Sequence, residues 1–242
     1  MEIVITMAGL GSRFQKAGYR VPKYMIEAKG RSLFEWSMES LRGYGENNNY
    51  YFIVRAEDHS GGFIENACRE IGIGSHRVIE LDHTTDGQAT TAMLAAPFWN
   101  RDEALLIYNI DTYVEAGQMN ADQLRGDGFI PCFRAPGDHW SFVRLNEAGD
   151  AVEVREKERI SEFCTLGAYY FKTCGLYESL YREFYEEGRS TSLTGAAGKE
   201  RYVAPLYNYL IAKGGVVGIC DVDPQKVHVL GTPEELQVFL TE

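Results

Sequence analysis

Residues 1–30 read MEIVITMAGLGSRFQKAGYRVPKYMIEAKG, and this stretch decides the fold. Residues 3–7 form a short, mostly apolar run rich in β-branched side chains, the pattern of a strand that is covered on both faces. The glycines of the sequence AGLGS at 8–12 end this strand in a loop. Ser12 is placed to cap the short helical segment that follows. The main-chain N–H groups of such a loop favour an anion, above all phosphate.

A local cluster of positive charge follows the loop. Arg13, Lys16, Arg20 and Lys23 lie within eleven residues of a chain whose formal net charge is −11. Taken alone, these cations are also typical of a solvated face. The glycines are also typical of an ordinary strand-to-helix turn. The loop is not a Walker loop, because no Gly-Lys-Ser/Thr follows it. It also lacks the third glycine of a dinucleotide fingerprint, whose place Phe14 takes.

Composition limits the class of protein. The 242 residues are 45% hydrophobic and contain no linker-like stretch, so we expect one domain over 1–242. The acidic net charge argues against a sequence-independent nucleic-acid binder. The five cysteines show no C-x-x-C spacing, which favours reduced thiols over disulfides or zinc. No apolar stretch approaches the ~20 residues of a membrane span, and the first apolar run is too short for a signal peptide. We therefore expect a cytoplasmic protein without membrane attachment; the sequence leaves homo-oligomerisation open.

Strands and helices alternate after the opening loop. Ser32 is placed to cap a helix, residues 50–54 (YYFIV) and 78–81 are strands, and residues 62–71 form a helix between them. This order predicts right-handed βαβ units on a parallel sheet. From Gly128 the pattern becomes mostly β. The strands predicted there cover 128–133, 139–146, 151–157, 166–171 and 216–222. A helix is predicted over 175–187, followed by a polar loop over 188–198.

Two polar segments are predicted at strand ends. The sequence HTTDGQATTAML at 83–94 puts Gly87 and Gln88 at a helix start, where open α/β sheets bind their ligands. On local sequence alone, Asp86 as a cap and Gly87 as a turn are the favoured explanation of this segment. Residues 104–111 form a buried strand that ends in Asn-Ile-Asp, and its terminal aspartate is compatible with a metal ligand or with a simple cap.

The string G-x-G-S-R at 9–13, with Pro22-Lys23 ten residues later, resembles the opening motif of the nucleotidylyltransferase superfamily. It is most similar to the branch of sugar-phosphate nucleotidylyltransferases found in capsule and cell-envelope synthesis. This resemblance implies an α/β, three-layer, Rossmann-like fold of the GT-A type, with a mixed, mainly parallel sheet and helices on both faces. It also implies that residues 1–127 bind the nucleotide and residues 128–242 bind the acceptor.

The resemblance assigns roles to individual residues. The nucleotide contacts it implies are Ala8, Gly9, Leu10, Gly11, Ser12, Gly87, Gln88 and Asn109. Gln88 has both a donor and an acceptor for a base edge. Arg13 suits the β- and γ-phosphates through its planar fork, and Lys23 suits the α-phosphate as a point charge. Asp111 is the implied ligand of Mg²⁺, which prefers hard oxygen donors and needs only one or two protein carboxylates.

The acceptor contacts come from the second part of the chain. Val154-Arg155-Glu156-Lys157 resembles the V-x-E-K segment of the family, in which Glu156 contacts sugar hydroxyls and Lys157 approaches the phosphate. Gly167 belongs to a Gly-aromatic strand that follows it, although Thr165 stands one residue earlier than the family pattern expects. A solvated ion pair explains Glu156 and Lys157 equally simply.

The tail departs from the family pattern. Aligning Gly231-Thr232 with the closing element of the family places Val229 where a second metal-binding aspartate is usual, and valine cannot bind Mg²⁺. Either the metal keeps one carboxylate, or His228, Asp221 or Asp223 supplies the second contact. Histidine is an unusual ligand for this ion.

The reaction implied is attack of a phosphomonoester oxygen on the α-phosphorus of a nucleoside triphosphate, with release of pyrophosphate. Three alternatives stay open: transfer to phosphocholine, a nucleotide-sensing module without turnover, and a glycosyltransferase, whose D-x-D motif is only half present. For phosphocholine, a cage for the quaternary ammonium would come from aromatic residues. The candidates for such a cage are Trp99, Tyr113, Trp140, Tyr169 and Tyr170.

Overall fold

The computed structural model describes residues 1–188 and 200–242. Nearly all of the polar loop that the sequence predicts over 188–198 lies outside the described residues. In the described ranges, no helix combines the length and the apolar character that crossing a bilayer requires.

Strands and helices are numbered here in chain order. The strands are β1 (Glu2–Thr6), β2 (Glu27–Ala28), β3 (Arg31–Ser32), β4 (Asn49–Arg55), β5 (His76–Leu81), β6 (Leu105–Asn109), β7 (Thr112–Val114), β8 (Gly128–Arg134), β9 (Ser141–Leu145), β10 (Ala151–Glu156), β11 (Phe163–Thr165), β12 (Ala168–Phe171), β13 (Val217–Asp221) and β14 (Val227–Val229). The helices are α1 (Ser12–Lys16), α2 (Leu33–Glu39), α3 (Gly61–Ile71), α4 (Gln88–Met93), α5 (Cys174–Tyr181), α6 (Ala204–Ala212) and α7 (Pro233–Thr241).

One large mixed sheet organises the molecule. Its strand order is β10-β9-β11-β8-β12-β6-β1-β4-β5, and β13 pairs with β8. The strands β5, β4, β1 and β6 run parallel, as the alternation of strands and helices predicts. Beyond β6 the pairings along this order are antiparallel, whereas β13 pairs parallel with β8. Of the antiparallel pairs, only β9 and β10 are joined by a short hairpin connection. The expected α/β class is confirmed, with the parallel pairings concentrated in the first half of the chain.

Helices cover both faces of the sheet. Consecutive residues of β1 point to opposite faces of the sheet, so Val4 and Ile5 belong to two different apolar clusters. The helices α4, α5 and α6 contribute to the cluster around Val4, and α2 and α3 contribute to the cluster around Ile5. This arrangement confirms the three-layer architecture expected from the sequence.

Helix caps match the sequence at one predicted site and differ at another. Ser32 caps α2 in a complete capping box with Glu35. The prediction that Ser12 caps α1 is wrong: Ser12 is the first helical residue, and the N-cap is Gly11 in the left-handed conformation, with φ of 59°. The turn requires a residue that tolerates positive φ, which glycine does at little cost.

Candidate functional site

An open cleft of about 660 Å³ lies at the carboxyl ends of β1 and β6. Thr6 and Asn109, the last residues of these strands, both line it. This is the edge at which open α/β sheets bind ligands. Residues from 1–127 and from 128–242 line the cleft together, so both parts of the chain contribute to one site.

The opening loop forms part of the cleft wall. Ala8, Gly9, Leu10 and Arg13 line the cleft, together with Lys23 from the 3-10 turn that follows. A Cβ atom built on Gly9 would meet no atom within 4 Å, so the main chain is open to a ligand at this position. Two predicted contacts lie outside the cleft: Gly11 borders a smaller adjacent cavity of about 440 Å³, and Ser12 borders neither cavity.

Gln88 is held in the cleft by two strand ends. Its Nε2 donates to Oγ1 of Thr6 at 3.3 Å and to Oδ1 of Asn109. These bonds bring three lining residues from β1, α4 and β6 into one polar network. The side-chain amide of Gln88 therefore has a fixed orientation at the start of α4, which is the position expected for a group that contacts a nucleobase.

Gly87, the residue before Gln88, has a packing role. Gly87 is the N-cap of α4, so the alternative in which Asp86 caps this helix is wrong. A Cβ on Gly87 would lie 2.4 Å from the carbonyl oxygen of Arg201, whose backbone bonds to residues on both sides of the glycine. Asp86 instead forms a 2.9 Å ion pair with the guanidinium of Arg201. Glycine is required here because two main-chain segments touch.

Lys23 and Asp111 form an ion pair inside the cleft. The Nζ atom of Lys23 lies 2.8 Å from Oδ2 of Asp111, and the two side chains are 17% and 31% exposed. Burial alone would raise the pKa of the Asp111 carboxyl, but attraction to Lys23 and Arg13 outweighs it and the net shift is downward. The structure thus brings together the three charged groups that the sequence places on a triphosphate and its metal.

The tail of the chain closes the cleft beside Asp111. Strand β14 pairs with β7, so that Val229 lies opposite Thr112, and the N–H of Leu230 donates to the carbonyl oxygen of Asp111 at 2.8 Å. Val229 lines the cleft, as the alignment of the tail predicts. Glu235, in the first turn of α7, also lines it.

The three residues considered as alternatives to Val229 lie elsewhere. His228 contacts Glu115 and Glu242 and stacks on Tyr113. Asp221 pairs with Arg134 at 2.7 Å, and Asp223 accepts from the N–H of Gln225 in a turn. As they are placed in this structure, none of the three lines the cleft.

Only some of the residues predicted to contact the acceptor line the cleft. Glu156 lines the cleft and accepts a hydrogen bond from the hydroxyl of Ser141. Lys157 does not line it: its Nζ donates to the hydroxyl of Tyr202 at 2.8 Å, and this bond raises the pKa of Lys157. Tyr202 itself lines the cleft, so Lys157 contacts a lining residue without lining the cleft.

Gly167 lines the cleft and shapes the end of β6. Its φ is +84°, and a Cβ there would lie 2.6 Å from Nδ2 of Asn109. The N–H of Asn109 donates to the carbonyl oxygen of Gly167 at 3.0 Å. The glycine thus allows the loop before β12 to hold the side chain that orients Gln88.

Several lining residues are absent from the prediction. They are polar side chains: Thr84, Thr85, His139, Ser141 and Glu235. Trp140 and Tyr169 are two of the five aromatic residues considered for a cation cage. Trp99 is buried in the core, and Tyr113 packs between Trp36 and His228. The sequence shows their residue types but gives no signal of which aromatic rings face the cleft.

The donor chemistry beside Lys23 suits a hard cation. Asp111 presents a partly exposed carboxylate in the cleft, and Mg²⁺ prefers such oxygen ligands. Within 1–188 and 200–242, no three His, Cys, Asp or Glu side chains are grouped closely enough to hold a metal ion by themselves. Mg²⁺ commonly completes its shell with substrate phosphates and water.

Comparison with known proteins identifies similar structures over the whole chain. The structure of the nucleoside-diphosphate-sugar pyrophosphorylase from Vibrio cholerae RC9 is 34% identical in sequence, with a TM-score of 0.90 over 99% of this chain and 100% of the other. The inositol-1-phosphate CTP transferase from T. maritima has a TM-score of 0.78 at 17% identity, over 98% and 93% of the two chains. HddC from Yersinia pseudotuberculosis has a TM-score of 0.68 at 15% identity, over 99% and 98%. No family model matches the chain, and no curated protein matches it.

Proposed function

Because the chain belongs to the nucleoside-diphosphate-sugar pyrophosphorylase family, we propose that it joins a nucleoside triphosphate to a sugar phosphate and releases pyrophosphate. The observation that carries this proposal is the 2.8 Å pair of Lys23 and Asp111 in a cleft that the glycine loop borders. The pair combines a cation for the reacting phosphate with a carboxylate for its metal.

The proposed reaction needs alignment and charge neutralisation rather than a general base. The attacking phosphomonoester oxygen is already an anion, so no side chain has to remove a proton from it. Negative charge develops on the α-phosphate and on the departing pyrophosphate, and preorganised cations stabilise it. Lys23 meets the α-phosphate and Arg13 meets the β- and γ-phosphates, while the main-chain N–H groups around Gly9 add uncharged donors.

The metal proposed for this site is Mg²⁺, held by Asp111. When bound, it would neutralise charge on the triphosphate. Asp111 is paired with Lys23, so binding of a metal by Oδ2 of Asp111 would require the pair to separate. Lys23 would then be free to meet the α-phosphate.

The remaining assignments follow the geometry of the cleft. Gln88 reads the base, since Thr6 and Asn109 orient its amide. Glu156 and Tyr202 contact the acceptor at the opposite end. We further propose that residues 1–127 bind mainly the nucleotide and residues 128–242 mainly the acceptor, and that the product serves capsule or cell-envelope synthesis in the cytoplasm. The five free thiols are compatible with that compartment.

The experiment that tests the function is release of pyrophosphate with Mg²⁺ present. CTP, UTP, dTTP and GTP are each paired with glucose 1-phosphate and with phosphocholine, and a thermal-shift screen with the same four nucleotides identifies the base. We expect one nucleotide to raise the melting temperature most and to support turnover with the sugar phosphate. The variant Gln88→Ala should reduce the differences among the four nucleotides. Turnover with phosphocholine alone would favour the non-sugar acceptor, and binding without turnover in any pair would favour a nucleotide sensor.

A further inference from the structure

Two helices of this chain begin with the same sequence signature but use it differently. Ser32 and Glu35 start α2, and Thr232 and Glu235 start α7, each as Ser/Thr-x-x-Glu. In α2, Oε2 of Glu35 accepts from the N–H of Ser32 at 2.8 Å, which closes the capping box. In α7, the hydroxyl of Thr232 accepts from the N–H of Glu235 at 3.2 Å, but Oε2 of Glu235 is buried and has no hydrogen-bond partner among the described residues.

A buried carboxylate oxygen without a partner is costly, by about 1–3 kcal/mol or more for a charged group. Such an oxygen in a native structure calls for an explanation, and a bound ion or water is one of them. A capping box would give this oxygen a hydrogen-bond donor within its own helix, as it does for Glu35. The side chain of Glu235 lines the cleft instead.

Glu235 and Asp111 border the same small space. A Cβ atom built on Gly231 would lie 3.3 Å from Oδ2 of Asp111 and 3.5 Å from Oε2 of Glu235. The missing side chain of Gly231 therefore leaves room between two carboxylate oxygens. Val229 lies in the same strand-to-helix connection, where an aspartate would have been expected to face the metal.

We propose that Glu235 supplies the second carboxylate of the Mg²⁺ site, in place of the aspartate that Val229 replaces. The proposal rests on the function proposed above. It explains how a chain with valine at 229 keeps two negative groups at the reacting phosphates: the carboxylate has moved from the strand β14 to the first turn of α7.

A purely structural role for Glu235 predicts different behaviour. A glutamate in the first turn stabilises a helix through its dipole, by about 0.3–1 kcal/mol. Glu234 occupies the same turn of α7 with the same charge and is exposed. The variant Glu234→Gln therefore controls for net charge and for the helix dipole, and differs from Glu235→Gln only in the position of the lost carboxylate.

The test measures Mn²⁺ binding by electron paramagnetic resonance, because Mn²⁺ takes the same oxygen donors as Mg²⁺. Wild type, Glu235→Gln and Glu234→Gln are titrated in the presence of α,β-methylene analogues of CTP, UTP, dTTP and GTP in turn. We expect Glu235→Gln to bind Mn²⁺ about tenfold more weakly than wild type, and Glu234→Gln to stay within about twofold. Adding Val229→Asp to Glu235→Gln should restore most of the affinity.

Thermal unfolding without metal separates the two roles further. Glu235→Gln should be at least as stable as Glu234→Gln, since a neutral amide is cheaper to leave unpaired than a carboxylate. Equal Mn²⁺ affinities in the two variants, or a specific loss of stability in Glu235→Gln, would overturn the inference. If wild type releases pyrophosphate while the affinities are equal, only the inference fails. If wild type releases none with any pair, the proposed function fails and the inference fails with it.

Discussion

Replacing Lys23 with methionine should change metal binding and turnover in opposite directions. Nζ of Lys23 lies 2.8 Å from Oδ2 of Asp111, so a divalent ion that binds this oxygen competes with the ammonium group. The variant Lys23→Met removes the competitor and its positive charge and keeps most of the length of the side chain. Metal affinity of the free protein should therefore rise, although the same change removes the cation that the α-phosphate needs.

The size of the gain follows from the exposure of the pair. The two side chains are 17% and 31% exposed, which lies between a surface pair and a buried pair. Surface pairs contribute about 0–1 kcal/mol, and breaking a buried pair costs about 3–5 kcal/mol. About 1–2 kcal/mol is thus a reasonable value for this pair, which corresponds to roughly a five- to thirtyfold tighter binding of Mn²⁺. Turnover should fall by about 10² or more, as expected when preorganised charge is lost at a transferring phosphoryl group.

The assay pairs Mn²⁺ titration of the free protein with pyrophosphate release. Lys16→Met is the matched control, because it removes one positive charge from the nearby helix α1 at an exposed position outside the cleft. It should change both quantities by less than about twofold. If Lys23→Met binds Mn²⁺ no more tightly than Lys16→Met, then Lys23 does not compete with the metal for Asp111, and the proposed exchange of partners is wrong.

Three further predictions concern other parts of the site. Arg13→Ala should lower pyrophosphate release by about 10² with little change in melting temperature; near-wild-type turnover would show that the opening loop is only structural. Gly87→Ala should lower the melting temperature by several degrees, because its Cβ would lie 2.4 Å from the main chain of Arg201, whereas Gly9→Ala, which meets nothing within 4 Å, should leave folding intact. Asp221→Asn should be nearly silent in turnover, since Asp221 pairs with Arg134 away from the cleft; a large loss would place it at the metal.

The fold could be predicted wherever one segment carries a complete pattern. The buried strands β1, β4 and β6 are continuous apolar runs, and Ser32 with Glu35 marks the start of α2. The three-residue strands β7 and β11 were missed, because a strand this short has no period of its own. Their positions depend on pairing with β14 and β8, which are distant in sequence.

The position of a candidate site residue could be predicted from the sequence where that residue lies close to the end of a strand. Asp111 and Gln88 are of this kind, since parallel strands bring their carboxyl ends to one edge. The environments of Lys157 and Glu235 could not be predicted in this way, because two different surroundings are compatible with each side chain. The sequence offers Lys157 either solvent or a phosphate, and only the fold places Tyr202 beside it. It likewise offers Glu235 its own helix cap, which the side chain does not use.

The glycines of the cleft illustrate a limit on arguing from motifs. Gly87 and Gly167 were predicted as ligand contacts, and both line the cleft. Yet each is also required by packing, Gly87 against the backbone of Arg201 and Gly167 against the side chain of Asn109. Their presence would be expected with or without a ligand, so they add little to the case for one. Gly9 differs, because a Cβ there would meet nothing and no positive φ demands glycine. Packing and backbone conformation therefore do not require glycine at position 9, and the open main chain there is compatible with a bound phosphate.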